Sequence, residues 1–272
     1  DLFHRFMDWR RGPHEWRVTF LGHTSNMKSQ GVKGETIQRN LDDLSAAFNH
    51  NVKRERMKPL WVPRVPAADR SPPRDRVLSP RELGMIVWYS RHKTELYQWV
   101  SLMLGTAVRP EAAMAFDPTK QLRLKAVDLH PADWRKTTKR NPVVPLIEPL
   151  RPILENWVPQ SATSHKTAWR TMRRVLGLDS EVYAKTIRHT VATMLLDYVG
   201  DSPHLIESLL GHRVLHRTTS VYAKWSVAHM EPLVEPLTNI WDLAQNEADR
   251  FGSVHSLSTT PKGRLTLVKK AA

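Results

Sequence analysis

Residues 63–73 carry four prolines, at positions 63, 66, 72 and 73, with arginine and aspartate between them and few apolar residues at any period. Each proline fixes φ and removes a backbone donor, so neither a helix interior nor a central strand accommodates them at this density. The chain is therefore expected to divide here, through an extended and semi-rigid linker. Ser79-Pro80-Arg81-Glu82 follows as a helix start: Ser79 can cap, Pro80 suits the first helical position, and Glu82 completes a capping box. The expected organisation is a small helical domain over residues 1–62, a linker over 63–78, a larger domain over 79–228 and a C-terminal tail over 229–272.

In the first part, Ile37, Leu41, Leu44, Phe48 and Val52 recur at steps of three and four, which predicts a helix with one buried stripe. Arg39, Asn40 and Asp43 occupy its other face, and it runs out into Lys53, Arg54, Arg56 and Lys58. That basic end is either a nucleic-acid contact or a solvated face. Leu2, Phe3, Phe6, Met7 and Trp9 predict a shorter helix upstream, so this part reads as all-α.

The second part reads as mainly α with a small antiparallel sheet. Helices are expected near 94–104, 164–176, 185–198 and 203–210, the last with Ser202 as its cap, Pro203 at its first position and Gly211 just past its end. A short helix starts at Pro110, which puts Arg109 at its N-terminal edge. Alternation over 121–129 predicts a strand, and Val143, Val144 and Leu146 its antiparallel partner, with Lys136 to Arg140 in or near the turn. Beyond residue 229, Val234, Leu237, Ile240, Trp241 and Leu243 have helical spacing, and 264–268 reads as a short strand.

Charge then narrows the partners. The chain has 41 Lys+Arg against 27 Asp+Glu, a net charge of +14. Such an excess favours a polyanion, because each neutralised phosphate releases condensed counterions. A binder without chemistry fits that charge equally well. The absence of cysteine excludes disulfides, thiolate metal sites and cysteine nucleophiles, and fits a reducing interior. No stretch approaches the roughly 18 apolar residues of a membrane helix. The chain begins at Asp1 without a signal-like segment and is expected to be a piece of something longer.

Five polar residues lie in the second part in an order that suits phosphodiester chemistry. Attack on phosphorus builds charge on its non-bridging oxygens, and guanidinium forks that stay charged at any working pH are suited to hold it. Arg109 and Arg188 are the candidate pair. The apolar run around Arg188 would bury it, so it needs an anionic partner, either a phosphate or an internal carboxylate. Lys136 or Lys139, on the turn between the strands, could protonate a leaving sugar oxygen if neighbouring cations lower its pKa. His212, after Leu209-Leu210-Gly211, could hydrogen-bond a phosphate oxygen, and the Tyr222 phenol could attack phosphorus. His189, His204, His212, His216 and His229 lack compact metal-ligand spacing, which argues against a metal site.

Thr186-Ile187-Arg188-His189-Thr190-Val191-Ala192-Thr193, and Leu209-Leu210-Gly211-His212 followed ten residues on by Tyr222, resemble the tyrosine recombinases, including phage and genomic-island integrases. Thr106-Ala107-Val108-Arg109-Pro110-Glu111 resembles the family's first arginine box, and Lys136-Thr137-Thr138-Lys139 leading to Val143-Val144-Pro145-Leu146 its catalytic hairpin. The resemblance spans roughly residues 36–226. It implies a helical core-binding domain plus a catalytic domain, clamped around duplex DNA. Arg109 and Arg188 would hold the scissile phosphate, Lys136 (or Lys139) would protonate the leaving 5′ oxygen, His212 would assist, and Tyr222 would form a 3′-phosphotyrosyl link. Lys185 stands where the family most often has histidine, which leaves the proton acceptor for Tyr222 open. Arg39, Lys53, Arg54, Lys139 and Arg140 are the further expected DNA contacts.

No metal, nucleotide or other cofactor is implied, since the covalent intermediate conserves the phosphodiester's energy. The expected activity is integration and excision of a mobile element by a homotetramer on DNA attachment sites, with an accessory DNA-bending protein as a further partner. Its place would be cytoplasmic, with the nucleoid, in a bacterium or phage-infected cell. A type IB topoisomerase, a telomere resolvase and a non-catalytic DNA binder with the same fold remain the alternatives. The tail would dock on a neighbouring protomer or fold back on its own domain.

Overall fold

The computed structural model describes residues 2–71, 75–131, 133–135, 141–212, 226–259 and 263–270. The chain forms two compact units, 1–75 and 76–272.

In the first unit, α1 (Leu2–Arg11) and α2 (Gly34–Val52) pack through Met7, Ile37 and Leu41, with Phe3 and Phe6 against them. The predicted stripe on α2 is buried only at its start: Ile37 and Leu41 are covered, whereas Leu44 is 37% exposed. Residues 63–70, expected as linker, fold onto α2. Val65 is buried, its N–H donates to Gln38 Oε1 at 2.7 Å, and Arg70 Nη2 donates to the same oxygen at 2.9 Å. An amide side chain at position 38 can satisfy several backbone and side-chain partners, and so pins a proline-rich segment that cannot form a ladder of its own.

This unit is not all-α. Between its helices lies an antiparallel ribbon, β1 (His14–Phe20) and β2 (His23–Ser29), closed by the two-residue turn Leu21–Gly22. Both turn residues have positive φ, 48° and 79°, the signature of a primed hairpin turn. The period-two alternation of His14, Trp16, Val18 and Phe20 was its sequence signal. Leucine at the first turn position, where Asn or Asp is usual, hid the turn.

The second unit is mainly helical with small antiparallel sheets. It begins at α3 (Pro80–Ser90), where the Ser79 hydroxyl accepts from Glu82 N–H at 3.2 Å and Glu82 Oε2 accepts from Ser79 N–H at 2.8 Å, the predicted capping box. Arg76 pairs with Glu82 and, at 2.9 Å, with Asp179, tying this start to the rest of the unit. α4 (Thr94–Thr106), α5 (Pro110–Met114) and α6 (Pro118–Gln121) follow. The strand expected from 121 begins later, because Asp117 caps α6 by accepting from Thr119 N–H at 3.0 Å and Pro118 suits a helical first turn. Gln121 is buried there and donates to the Asp128 carbonyl at 2.6 Å.

β3 (Ala126–Asp128) then pairs antiparallel with β4 (Val143–Pro145), Val127 opposite Val144. α7 (Arg151–Glu155), α8 (Lys166–Val175), α9 (Ala184–Val199) and α10 (Pro203–Leu209) complete the central part. The segment expected as a tail supplies α11 (Val234–Val254), β5 (His255–Thr259) and β6 (Leu265–Lys269). α11 buries Leu237, Ile240, Trp241, Ala244 and Phe251 in the same core as Leu83, Ile86 and Trp88 of α3. The two helices approach so closely that a Cβ on Gly84 would lie 2.4 Å from Glu247 Cβ and 2.8 Å from the Ala248 nitrogen. Among the described residues no helix is long and apolar enough to cross a membrane.

Candidate active site

Two helix ends meet around Arg188. On α9, Thr186, Ile187, Thr190 and Val191 face the core, and Arg188 faces it with them at 5% exposure. Its Nη1 donates to the Ala107 carbonyl at 2.7 Å and its Nη2 to the Leu210 carbonyl at 2.6 Å. Both acceptors cap helix ends: Ala107 follows α4 with φ 51°, and Leu210 follows α10. Terminal carbonyls of a helix lack internal donors, and here one guanidinium serves two helices. The alternative of an internal carboxylate partner for Arg188 does not hold among the described residues, where no carboxylate pairs with it.

Each capped turn delivers a candidate residue two positions further on. After Ala107, the Thr106 hydroxyl accepts from Val108 N–H at 3.3 Å, and Arg109 becomes the N-cap residue of α5 with Pro110 at the first helical position. Trp99 Nε1 donates to the Pro110 carbonyl at 3.0 Å and fixes this corner. Arg109 Nη1 donates to Asn141 Oδ1 at 3.3 Å, linking the corner to the residues that lead into β4. After Leu210, Gly211 has φ 67°, its N–H donates to Ser208 O at 3.0 Å, and His212 N–H donates to Glu207 O at 2.8 Å. This Schellman arrangement needs glycine at its left-handed position and sets where His212 leaves the helix.

Lys185 lies one turn before Arg188 and is exposed, as is His189 one turn after Lys185. These groups repel one another electrostatically. Burial, then the neighbouring Arg109, lower the Arg188 guanidinium to about 10, so it stays charged at neutral pH. Burial lowers Arg109, partly countered by Glu111. His212 is lowered by partial burial and by Arg188, Arg109 and Lys185, against a small opposing effect of Glu207. His189 is lowered by partial burial, Lys185 and Arg188. Each histidine thus favours its neutral form in a field set by arginine and lysine. Such a field is primed for an anion, which would relieve the like-charge repulsion.

Beside Lys185 opens a groove of about 1230 Å³, lined among others by Trp134, His165, Trp169, Arg170 and Arg173. His165 lies at a tilt against Trp99 with ring centroids 5.0 Å apart, and its Nε2–H donates to Gln160 Oε1 at 2.6 Å.

The second unit therefore brings together Arg109, Lys185, Arg188 and His212. Lys136, Lys139, Arg140 and Tyr222 lie outside the described residues. Arg39 on α2, and Lys53 and Arg54 at its end, are exposed residues of the first unit. Sequence reasoning did not find Asn141 or the two carbonyls that hold Arg188. A lone asparagine carries no signal, and backbone acceptors carry none at all.

A mainly helical domain with a small hairpin and a paired-arginine site is the structural class. A tyrosine recombinase of Pseudothermotoga lettingae is 27% identical to the chain over 226 residues, 75% of this chain and 74% of the other. That similarity supports a recombinase at the level of the family. No known family profile matches the chain, and no solved structure matches it.

Proposed function

We propose that the chain is a site-specific DNA recombinase of the integrase type, cutting and rejoining DNA through a covalent link to Tyr222. The observation that carries this reading is the Arg188 guanidinium. It is buried and charged, held by two helix-end carbonyls and set near a second arginine. The two carbonyls hold the guanidinium in place but leave its charge without a counter-ion among the described residues, which suits a visiting phosphate.

In this mechanism the Tyr222 oxygen attacks phosphorus, the bond to the 5′ oxygen breaks, and that oxygen takes a proton from Lys136, or from Lys139. Arg109 and Arg188 bear the charge that develops on the non-bridging oxygens, and His212 hydrogen-bonds one of them. The phenol loses its proton to water as it attacks, and the Lys185 ammonium adds positive charge beside the reacting phosphate. Reversal with the 5′ hydroxyl of another strand restores a phosphodiester and completes strand exchange. The strands belong to the attachment sites of a mobile element, brought together by four copies of the chain.

The test is covalent capture in cells carrying the element. Protein is denatured with detergent and the linked DNA sequenced, with Tyr222→Phe in parallel. A defined sequence joined to the wild type and absent from the phenylalanine variant is the expected result. Linkage that persists in Tyr222→Phe contradicts the mechanism. Specific binding without linkage in either protein would assign the chain to the non-catalytic binders.

A further inference from the structure

We propose that the β1–β2 ribbon is a DNA-contacting arm whose Phe20–Leu21 tip wedges against the bases of a duplex. This deepens the reading of the chain as a DNA enzyme and rests on it. The ribbon is anchored at its root, where Trp9, His14 and Trp16 form one aromatic cluster with Trp9 and His14 ring centroids 4.0 Å apart. Beyond that root every residue from Arg17 to Lys28 is exposed. Seven-residue strands extend roughly 20 Å, enough to follow a groove of the duplex.

The tip breaks two local rules together. Phe20 is 72% exposed and Leu21 83%, although both are large and apolar. Leu21 also holds φ 48°, in a turn position that Asn, Asp or Gly would occupy with less strain. Neither choice helps this ribbon fold, so the residues suit something the ribbon touches. Architectural DNA-binding proteins use apolar wedges of this kind to part a base step and bend the helix.

The charge of the stretch favours DNA as the partner. From residue 16 to residue 34 there is no Asp or Glu, while Arg17, Lys28 and Lys33 fall in that stretch. Glu15, at the root, is already paired with Lys28 at 2.6 Å. Along the ribbon, Thr19 and Thr24 meet across the strands at 3.0 Å, and Arg17 reaches Asn26 at 3.4 Å. These are short hydroxyl, amide and guanidinium groups of the sort that contact phosphates and base edges.

The experiment measures affinity and bend on a mixed-sequence duplex carrying a fluorophore pair at its ends. It compares wild type, Leu21→Asn and the double variant Phe20→Ser/Leu21→Asn. Leu21→Asn should raise the melting temperature, since it relieves the turn. The double variant should bind roughly tenfold more weakly and bend the duplex less, with the salt dependence unchanged because no phosphate contact is lost. Equal affinity and equal bend in a wild type that binds DNA would overturn the arm and leave the proposed function standing. A wild type that binds no duplex at all would overturn both. Tip-dependent binding to phosphatidylserine vesicles, or tip-dependent self-association, with unchanged DNA binding would give the ribbon another partner and refute the proposal.

Discussion

Arg188 holds its place through two separate nitrogens, Nη1 and Nη2, each reaching a carbonyl on a different turn, a span that the single ammonium nitrogen of lysine would have to cover alone. Arg188→Lys should leave one buried carbonyl without a donor and cost about 1–3 kcal/mol of stability in denaturant melts. In the proposed mechanism it should also slow strand cleavage at least a hundredfold. A variant as stable and as active as wild type would contradict the bridging role. His165 supports a second prediction at this scale. Burial lowers its pKa despite the opposing charge of Glu95, with Lys93 adding to the lowering. Below pH about 6.5 the unfolded chain therefore takes up a proton that the native ring resists. Stability should be fully present above that pH and fall as pH drops toward the lowered native value. Thermal melts between pH 5 and pH 8 check this, and His165→Gln should flatten the slope. Side chains with fixed chemistry at fixed spacing, such as Arg109, Arg188 and His212, could be selected from the sequence. What holds them could not, because Ala107 and Leu210 act through carbonyls that every residue possesses.

Helices were the legible elements. The starts at Pro80 and Pro203 follow from proline at the first helical position, reinforced at Pro80 by the Ser79–Glu82 box, whereas the Ser202 side chain expected to cap the second makes no capping bond. The strand expected over 121–129 is shorter, because the alternating residues 122–127 fold back on themselves: Leu122 bridges Val127, and Arg123 N–H donates to the Ala126 carbonyl at 2.9 Å. The ribbon was missed because a strained leucine replaced the usual turn residue. Helix α11 had its apolar spacing in plain view, but spacing does not say which surface it covers. Its partner is α3, at a distance that only glycine at 84 permits. Gly84→Ala should force the two helices apart and destabilise the second unit by about 1–3 kcal/mol, seen as a lower unfolding midpoint. An unchanged midpoint would mean that α3 and α11 do not pack as described.

The whole chain carries a net charge of +14, and its affinity for duplex DNA should fall by roughly a thousandfold between 50 and 200 mM salt if it engages six or more phosphates. Binding that ignores salt would remove the electrostatic basis of the account. The division near the proline-rich segment was visible in composition. The packing of Val65 and Arg70 onto α2 was not, since it depends on one buried glutamine, Gln38. Chemistry at Tyr222 remains the claim on which the functional reading turns. The most direct measurement is mass spectrometry of the captured adduct, after nuclease trimming and digestion with trypsin. The account predicts a nucleotide joined through its 3′ phosphate to the tyrosine of the peptide Thr218-Thr219-Ser220-Val221-Tyr222-Ala223-Lys224. A nucleotide on any other residue, or one joined through its 5′ end, would contradict it.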